Sequence, residues 1–166
     1  MGKKKRNRVG LRDRKLIRKG HKYKINEVLS QVVGSCNLRR KDASVDFDGD
    51  LIKMNSQRYI LFARKGVTCV TCGLKGKYFR KERNMCDKTY HFNLYAVRKE
   101  DGAEILITKD HIISRSNGGK NMQNNYQVMC SICNNEKSIT ENNEVIELQK
   151  AKEKTMSYAK GVSHEK

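Results

Sequence analysis

Thr108-Lys109-Asp110-His111-Ile112 is followed by Gly118-Gly119, Asn125 and Cys130-Ser131-Ile132-Cys133-Asn134. One short window therefore holds an acid next to a histidine, two glycines, two asparagines and a CxxC turn. A second CxxC turn, Cys69-Val70-Thr71-Cys72, lies upstream. Each such turn presents two thiolates, and two turns complete a tetrahedron around one ion. The insert between them is longer than in simple zinc ribbons, but a hairpin expected within it returns the chain. Redox use of a CxxC pair needs a βαβ context, which the pattern lacks. Cys69, Cys72, Cys130 and Cys133 are thus expected to hold a structural zinc ion. Cys36 and Cys86 have no partner pattern and read as small hydrophobes or free thiols.

Working outward, His91, Phe92, Leu94, Tyr95 and Val97 predict a strand. Asp101-Gly102 is turn chemistry, and Ile105, Leu106 and Ile107 predict a returning strand that runs into Asp110-His111. Residues 113–121 have no periodicity and predict a loop. Tyr126, Val128 and Met129 predict a short extended piece entering Cys130, and a helix is expected from about 130–134, with interruptions, towards Ala159. Upstream, Ile25, Val28, Leu29, Val32 and Val33 suit a helix over 25–36. Residues 44–64 read as a hairpin turning near Asn55-Ser56, with Tyr59 to Phe62 on its second strand. The segment after Cys72 reads as a basic loop, 75–88. The expected organisation is α+β. It comprises a basic, disordered arm (1–24), a small accessory helix and hairpin (25–65), a core with the zinc site (66–140) and a helical tail (141–166).

The 166-residue chain carries 36 Lys and Arg against 18 Asp and Glu, a net charge of +18. Such an excess favours nucleic acid as partner, because cationic side chains release the counterions held by phosphates. The candidate phosphate-binding residues are Lys3, Lys4, Lys5, Arg6, Arg8, Arg12, Arg14 and Lys15 in the arm. To these are added Lys77, Arg80 and Lys81 in the basic loop, and Arg115 and Lys120 in the 113–121 loop. No apolar run is long enough to span a membrane, and the basic N-terminus lacks the apolar stretch of a secretory signal. Cytoplasmic residence is the expectation.

Asp110-His111-Ile112, Gly118-Gly119, Asn125, Cys130-x-x-Cys133-Asn134 and Lys137 resemble the HNH endonucleases, which have a ββα-metal fold. The phrasing from Tyr90-His91-Phe92-Asn93-Leu94-Tyr95 to Met129-Cys130 is similar to HNH proteins common in bacteriophage genomes. The resemblance covers about residues 66–138. It departs from the family name at Asn134, where His is usual, and at Ser114, where Pro is often found. It implies a metal-dependent nuclease acting on double-stranded DNA. His111 would take a proton from water. Asp110 and Asn134 would offer oxygens to Mg²⁺ or a similar hard ion, and Asn125 would hold the His111 loop in position. Lys137, three residues after Asn134, would share its helix face and reach phosphate. Two other readings stay open: a non-catalytic zinc-ribbon protein that binds nucleic acid, and a junction-cleaving enzyme of the related His-metal class.

Overall fold

Alternating side chains from residue 76 onwards build an antiparallel sheet. The structure, a computed structural model, describes residues 16–34 and 43–161, from 151 onward by backbone alone. The elements are β1 (Leu16–Tyr23), α1 (Ile25–Leu29), β2 (Ser44–Phe47), β3 (Asp50–Lys53), α2 (Gln57–Lys65), β4 (Gly76–Asn84), β5 (His91–Val97), β6 (Glu104–His111), β7 (Tyr126–Cys130) and α3 (Ser131–Gly161). Five strands form one antiparallel sheet in the order β1-β4-β5-β6-β7, while β2 and β3 form a separate hairpin. Strand pairing places Phe79, Phe92, Leu94, Ile107 and Val128 on one face of the sheet. On that face Tyr23, Phe47, Phe79 and Phe92 meet edge to face, with centroids 4.8–6.1 Å apart. The opposite face carries Arg80, Glu82, Asn93, Tyr95, Thr108 and Asp110, and α3 covers its β6 end.

Several sequence expectations need correction. The basic arm expected over 1–24 gives way to β1 at Leu16, and residues 1–15 lie outside the described residues. β1 is a strand because its cations meet acids: Arg18 pairs with Glu82 at 2.6 Å and Lys19 with Asp50 at 2.9 Å. The basic loop expected over 75–88 is mostly β4. Its cations flank Tyr78 and Phe79, which are buried. The helix expected over 25–36 stops at Leu29.

The hairpin over 44–64 turns earlier than expected, at Asp48-Gly49, both with positive φ (53° and 78°). That is the backbone an Asp-Gly hairpin turn adopts. Tyr59 to Phe62 then belong to helix α2, not to a strand. A short run of consecutive apolar residues fits either structure. Here Ser56 caps the helix by accepting from Tyr59 N (3.3 Å), and Gly66 at φ 82° ends it. The 25–65 region is no separate accessory unit, since Val28, Phe47, Ile52, Tyr59 and Phe62 share one core with the sheet. The C-terminal helix is continuous from Ser131 to Gly161. Among the described residues, no helix is long and apolar enough to cross a membrane.

Lys81, assigned to phosphate from the sequence, is 1% exposed. Its ammonium donates to the Phe47 carbonyl at 2.7 Å and pairs with Asp50 at 2.7 Å. It clamps the β2–β3 hairpin onto β4, and with Lys19 it holds the Asp50 carboxyl below its ordinary range. Removing one partner of a buried pair strands the other's charge. Lys81→Met is therefore expected to lower unfolding stability by about 3 kcal/mol in urea denaturation at neutral pH. Exposed Lys77→Met on the same strand should change it by less than about 0.5 kcal/mol. Because the Asp50 carboxyl is depressed in the fold, the pair's contribution should persist at neutral pH. It should fade as pH falls below the ordinary carboxylate range.

Candidate metal centre and nuclease-like site

The first CxxC turn is a backbone-bonded knuckle. Cys69 N donates to Leu74 O at 3.0 Å, Gly73 N donates to Cys69 O at 3.0 Å, and Gly73 takes φ 74°. The second begins on the last residue of β7 and ends in the first turn of α3, where Cys133 N approaches Cys130 Sγ at 3.5 Å. Val70 N donates to Val128 O at 2.9 Å and binds the knuckle to β7.

The four sulfurs of Cys69, Cys72, Cys130 and Cys133 lie within 4.8 Å of one another. Cys72 Sγ and Cys130 Sγ are 3.7 Å apart. Thiolates about 2.3 Å from a tetrahedral ion stand about 3.8 Å from each other, so this separation fits a shared metal. It is far too long for a disulfide. Burial and the neighbouring sulfurs push the Cys133 thiol up, and burial likewise raises Cys130. Burial also opposes ionisation of Cys69, but backbone N–H groups outweigh it and bring that thiol to about 6. Four adjacent thiolates need a cation between them, and the donor set suits a soft or borderline divalent ion. Cys86 is an exposed free thiol; Cys36 lies outside the described residues.

β6 pairs antiparallel with β7, with Asp110 opposite Gln127 and His111 opposite Tyr126. Adjacent strand residues point to opposite faces. Asp110 accordingly faces α3, where its Oδ2 accepts from Gln127 Nε2 (2.9 Å) and Lys137 Nζ (2.8 Å). Asn134, one turn before Lys137, donates through Nδ2 to Thr108 Oγ1 at 3.1 Å. Asp110 Oδ1 and Asn134 Oδ1 accept no hydrogen bond among the described residues. Carboxylate and amide oxygens of this kind suit a hard divalent cation.

His111 lies on the other face, its ring edge-on to Tyr126 at 4.9 Å. His111 Nε2 bonds to Asn121 Oδ1 at 2.8 Å. An amide oxygen only accepts, so Nε2 carries the proton and Nδ1 is left as the acceptor. Asn125 spans the loop that follows. Its Oδ1 accepts from Ile113 N (2.9 Å), and its Nδ2 donates to the carbonyls of Ile113 (3.1 Å) and Lys120 (3.0 Å). Gly119 permits this closure, because a Cβ there would lie 1.8 Å from the Ile113 carbonyl oxygen.

The remaining candidates divide. Lys137, expected on phosphate, turns inward and also donates to the carbonyls of His111 and Ile112. Arg80 pairs with Glu104 at 2.5 Å, on the face opposite the aromatic core. Lys77, Arg115 and Lys120 are exposed, and Lys3 to Lys15 lie outside the described residues. Sequence reasoning missed Thr108, Asn121 and Gln127. Thr108 was signalled only by standing two residues before Asp110. Gln127 carried no signal without the β6–β7 register.

β6, β7 and α3 thus form a strand–strand–helix unit with the acid–histidine pair at the end of its first strand. Residues 98–145 match the family model described as HNH endonuclease. Over these residues the chain is similar to the HNH endonucleases. No curated protein and no solved structure matches the chain. The HNH match includes Asp110, His111, Asn125, Cys130, Cys133, Asn134 and Lys137, and leaves out Cys69 and Cys72. The HNH segment therefore takes half of its cysteine cluster from the preceding knuckle.

Two outcomes are expected. The purified protein should carry one tightly held metal ion per chain by elemental analysis, and Cys133→Ser should lose it together with at least about 3 kcal/mol of stability. Gly119→Ala should displace the 113–121 loop, seen as changed amide shifts for Ile113 and Asn125 with the sheet resonances unmoved.

Proposed function

We propose that the protein is a metal-dependent endonuclease that hydrolyses phosphodiester bonds in double-stranded DNA. The observation that carries this reading is the arrangement at the end of β6. A histidine with its proton fixed on Nε2 stands next to a carboxylate that shares its side of the strand with the Asn134 amide. The family match and the +18 charge support nucleic acid as the substrate. The unit then reads as a ββα-metal core, with zinc in the four-cysteine cluster and Mg²⁺ or a similar ion at Asp110 and Asn134.

In this mechanism His111 Nδ1 takes a proton from a water placed against the phosphorus. The water oxygen bonds to phosphorus as the bond to the 3′ oxygen breaks. Asn121 fixes the imidazole tautomer, and Asn125 holds the backbone immediately after His111. Asp110 and Asn134 would hold the divalent ion, which when bound supplies charge stabilisation at the phosphate and the leaving oxygen. Lys137 keeps Asp110 oriented and fastens α3 to the strand end. The zinc cluster fixes the start of α3, and hence Asn134, relative to β6. We infer that the enzyme works in the cytoplasm of a bacterial or phage-infected cell, where thiols stay reduced.

The test is relaxation of supercoiled plasmid with Mg²⁺, comparing wild type with His111→Ala at equal zinc content. The variant should cleave about 10²–10⁴-fold more slowly while binding DNA equally well. Equal cleavage by both would remove His111 from the mechanism. Salt-sensitive binding without cleavage by the wild type would favour a non-catalytic zinc-ribbon protein.

A further inference from the structure

β5 and β6 are paired from Leu94 to Val97, but before Leu94 they part, since β6 beyond Ile107 turns to β7. A cleft of about 470 Å³ opens there, and its lining includes Lys53, Ser56, Gln57, Arg58, His91 and Lys109. None of its lining residues is acidic. Among the described residues, no carboxylate lies within ion-pair distance of Arg58 or Lys109. This differs from Arg18, Lys19, Arg80, Lys81 and Lys137, which all have acidic partners.

The cations in the cleft are held in place without being neutralised. Arg58 donates to Asn93 Oδ1 (3.0 Å) and the Phe92 carbonyl (2.7 Å), which fix its guanidinium in the cleft lining. Lys109 Nζ rests 3.6 Å from the centroid of the Tyr126 ring. The N-terminus of α2, with no acid in its first turn, adds unpaired backbone N–H groups at Gln57 and Arg58. Burial and the Arg58 charge hold His91 below the ordinary histidine range.

The cleft adjoins the His111 side of the strand. Lys109 and His111 point to the same face, about 6.6 Å apart along β6. Tyr126 stands against both, and its hydroxyl donates to Gln57 Oε1 at 2.6 Å. We propose that this cleft binds a backbone phosphate of the DNA strand, about one or two nucleotides from the bond presented to His111. Arg58 and Lys109 are its principal contacts. The proposal rests on the nuclease reading for the identity of the strand. Arg58 and His91 lie outside the family-matched segment and Lys109 lies within it, so the subsite joins that segment to the chain that precedes it.

The test uses ¹⁵N-labelled full-length protein without Mg²⁺, titrated first with inorganic phosphate and then with a short DNA duplex. Saturable shifts are expected at the amides of Gln57, Arg58, His91 and Lys109 with both probes. Lys109→Gln, with an otherwise native amide spectrum, should bind the duplex about tenfold more weakly. Its log–log salt slope should fall by about 1. Lys109→Arg should restore both, and Arg58→Lys should weaken binding where a two-bond fork is lost. Unchanged affinity and slope in Lys109→Gln would overturn the proposal, as would shifts with inorganic phosphate but none with duplex, which would mark a site for a free phosphate compound. These readouts need no cleavage. A slope change in a protein that never cuts plasmid would leave the cleft standing and the nuclease reading fallen.

Discussion

The site depends on the register between β6 and β7. Side chains alternate along a strand, so a slip by one residue would exchange the faces of Asp110 and His111. The register is held at several points. Thr108 Oγ1 donates to the Met129 carbonyl at 2.9 Å, and Cys130 stands opposite Ile107. Because Cys130 is also a member of the cysteine cluster, a slip would pull a sulfur away from its three neighbours. The register that separates the acid from the histidine is the same one that assembles the metal centre.

This coupling matters in a chain with 33% charged residues and modest apolar content. A small core leaves little surplus stability for holding polar side chains in fixed positions. The fold compensates by building cross-links into its edges. The knuckle ties Cys69 to β7, Lys81 locks the β2–β3 hairpin to β4, and Lys137 locks α3 to the end of β6. Each cross-link joins segments distant in sequence, and each uses a polar or metal-binding group where a larger protein would use apolar area. Three of the four clustered cysteines count among the buried core. Loss of the metal would thus be felt in packing as well as in the site.

The sequence disclosed the parts whose signals are local. The two CxxC turns, the 91–107 hairpin with its Asp101-Gly102 turn and the long final helix could all be read from spacing, as could the strand leading into Asp110-His111. Signals that depended on distant partners misled. Lys81 and Arg80 looked like phosphate contacts because their acidic partners, Asp50 and Glu104, lie far away in sequence. The residues of β1 looked like part of a solvated arm for the same reason. Tyr59 to Phe62 looked like a strand because four consecutive apolar residues carry no period, and only the Ser56 cap and the Gly66 stop distinguish a helix. In the site, Gln127 and Asn121 were invisible because their partners are set by strand register and loop closure.

Net charge indicated nucleic acid but could not say which cations would meet it. The described part of the structure sorts them. Arg18, Lys19, Arg80, Lys81 and Lys137 are spent on internal pairs, so they add to the charge count without offering a phosphate site. Arg58 and Lys109 have no acidic partner and lie beside the His111 face, while Arg115 and Lys120 are exposed on the loop that follows it. Arg58 and Lys109 thus add positive potential beside the end of β6 that no acid cancels. A surface of evenly spread cations would hold DNA in many orientations. In the proposed nuclease, the unpaired cations at the strand end, next to the imidazole, would favour the orientation in which the backbone crosses His111.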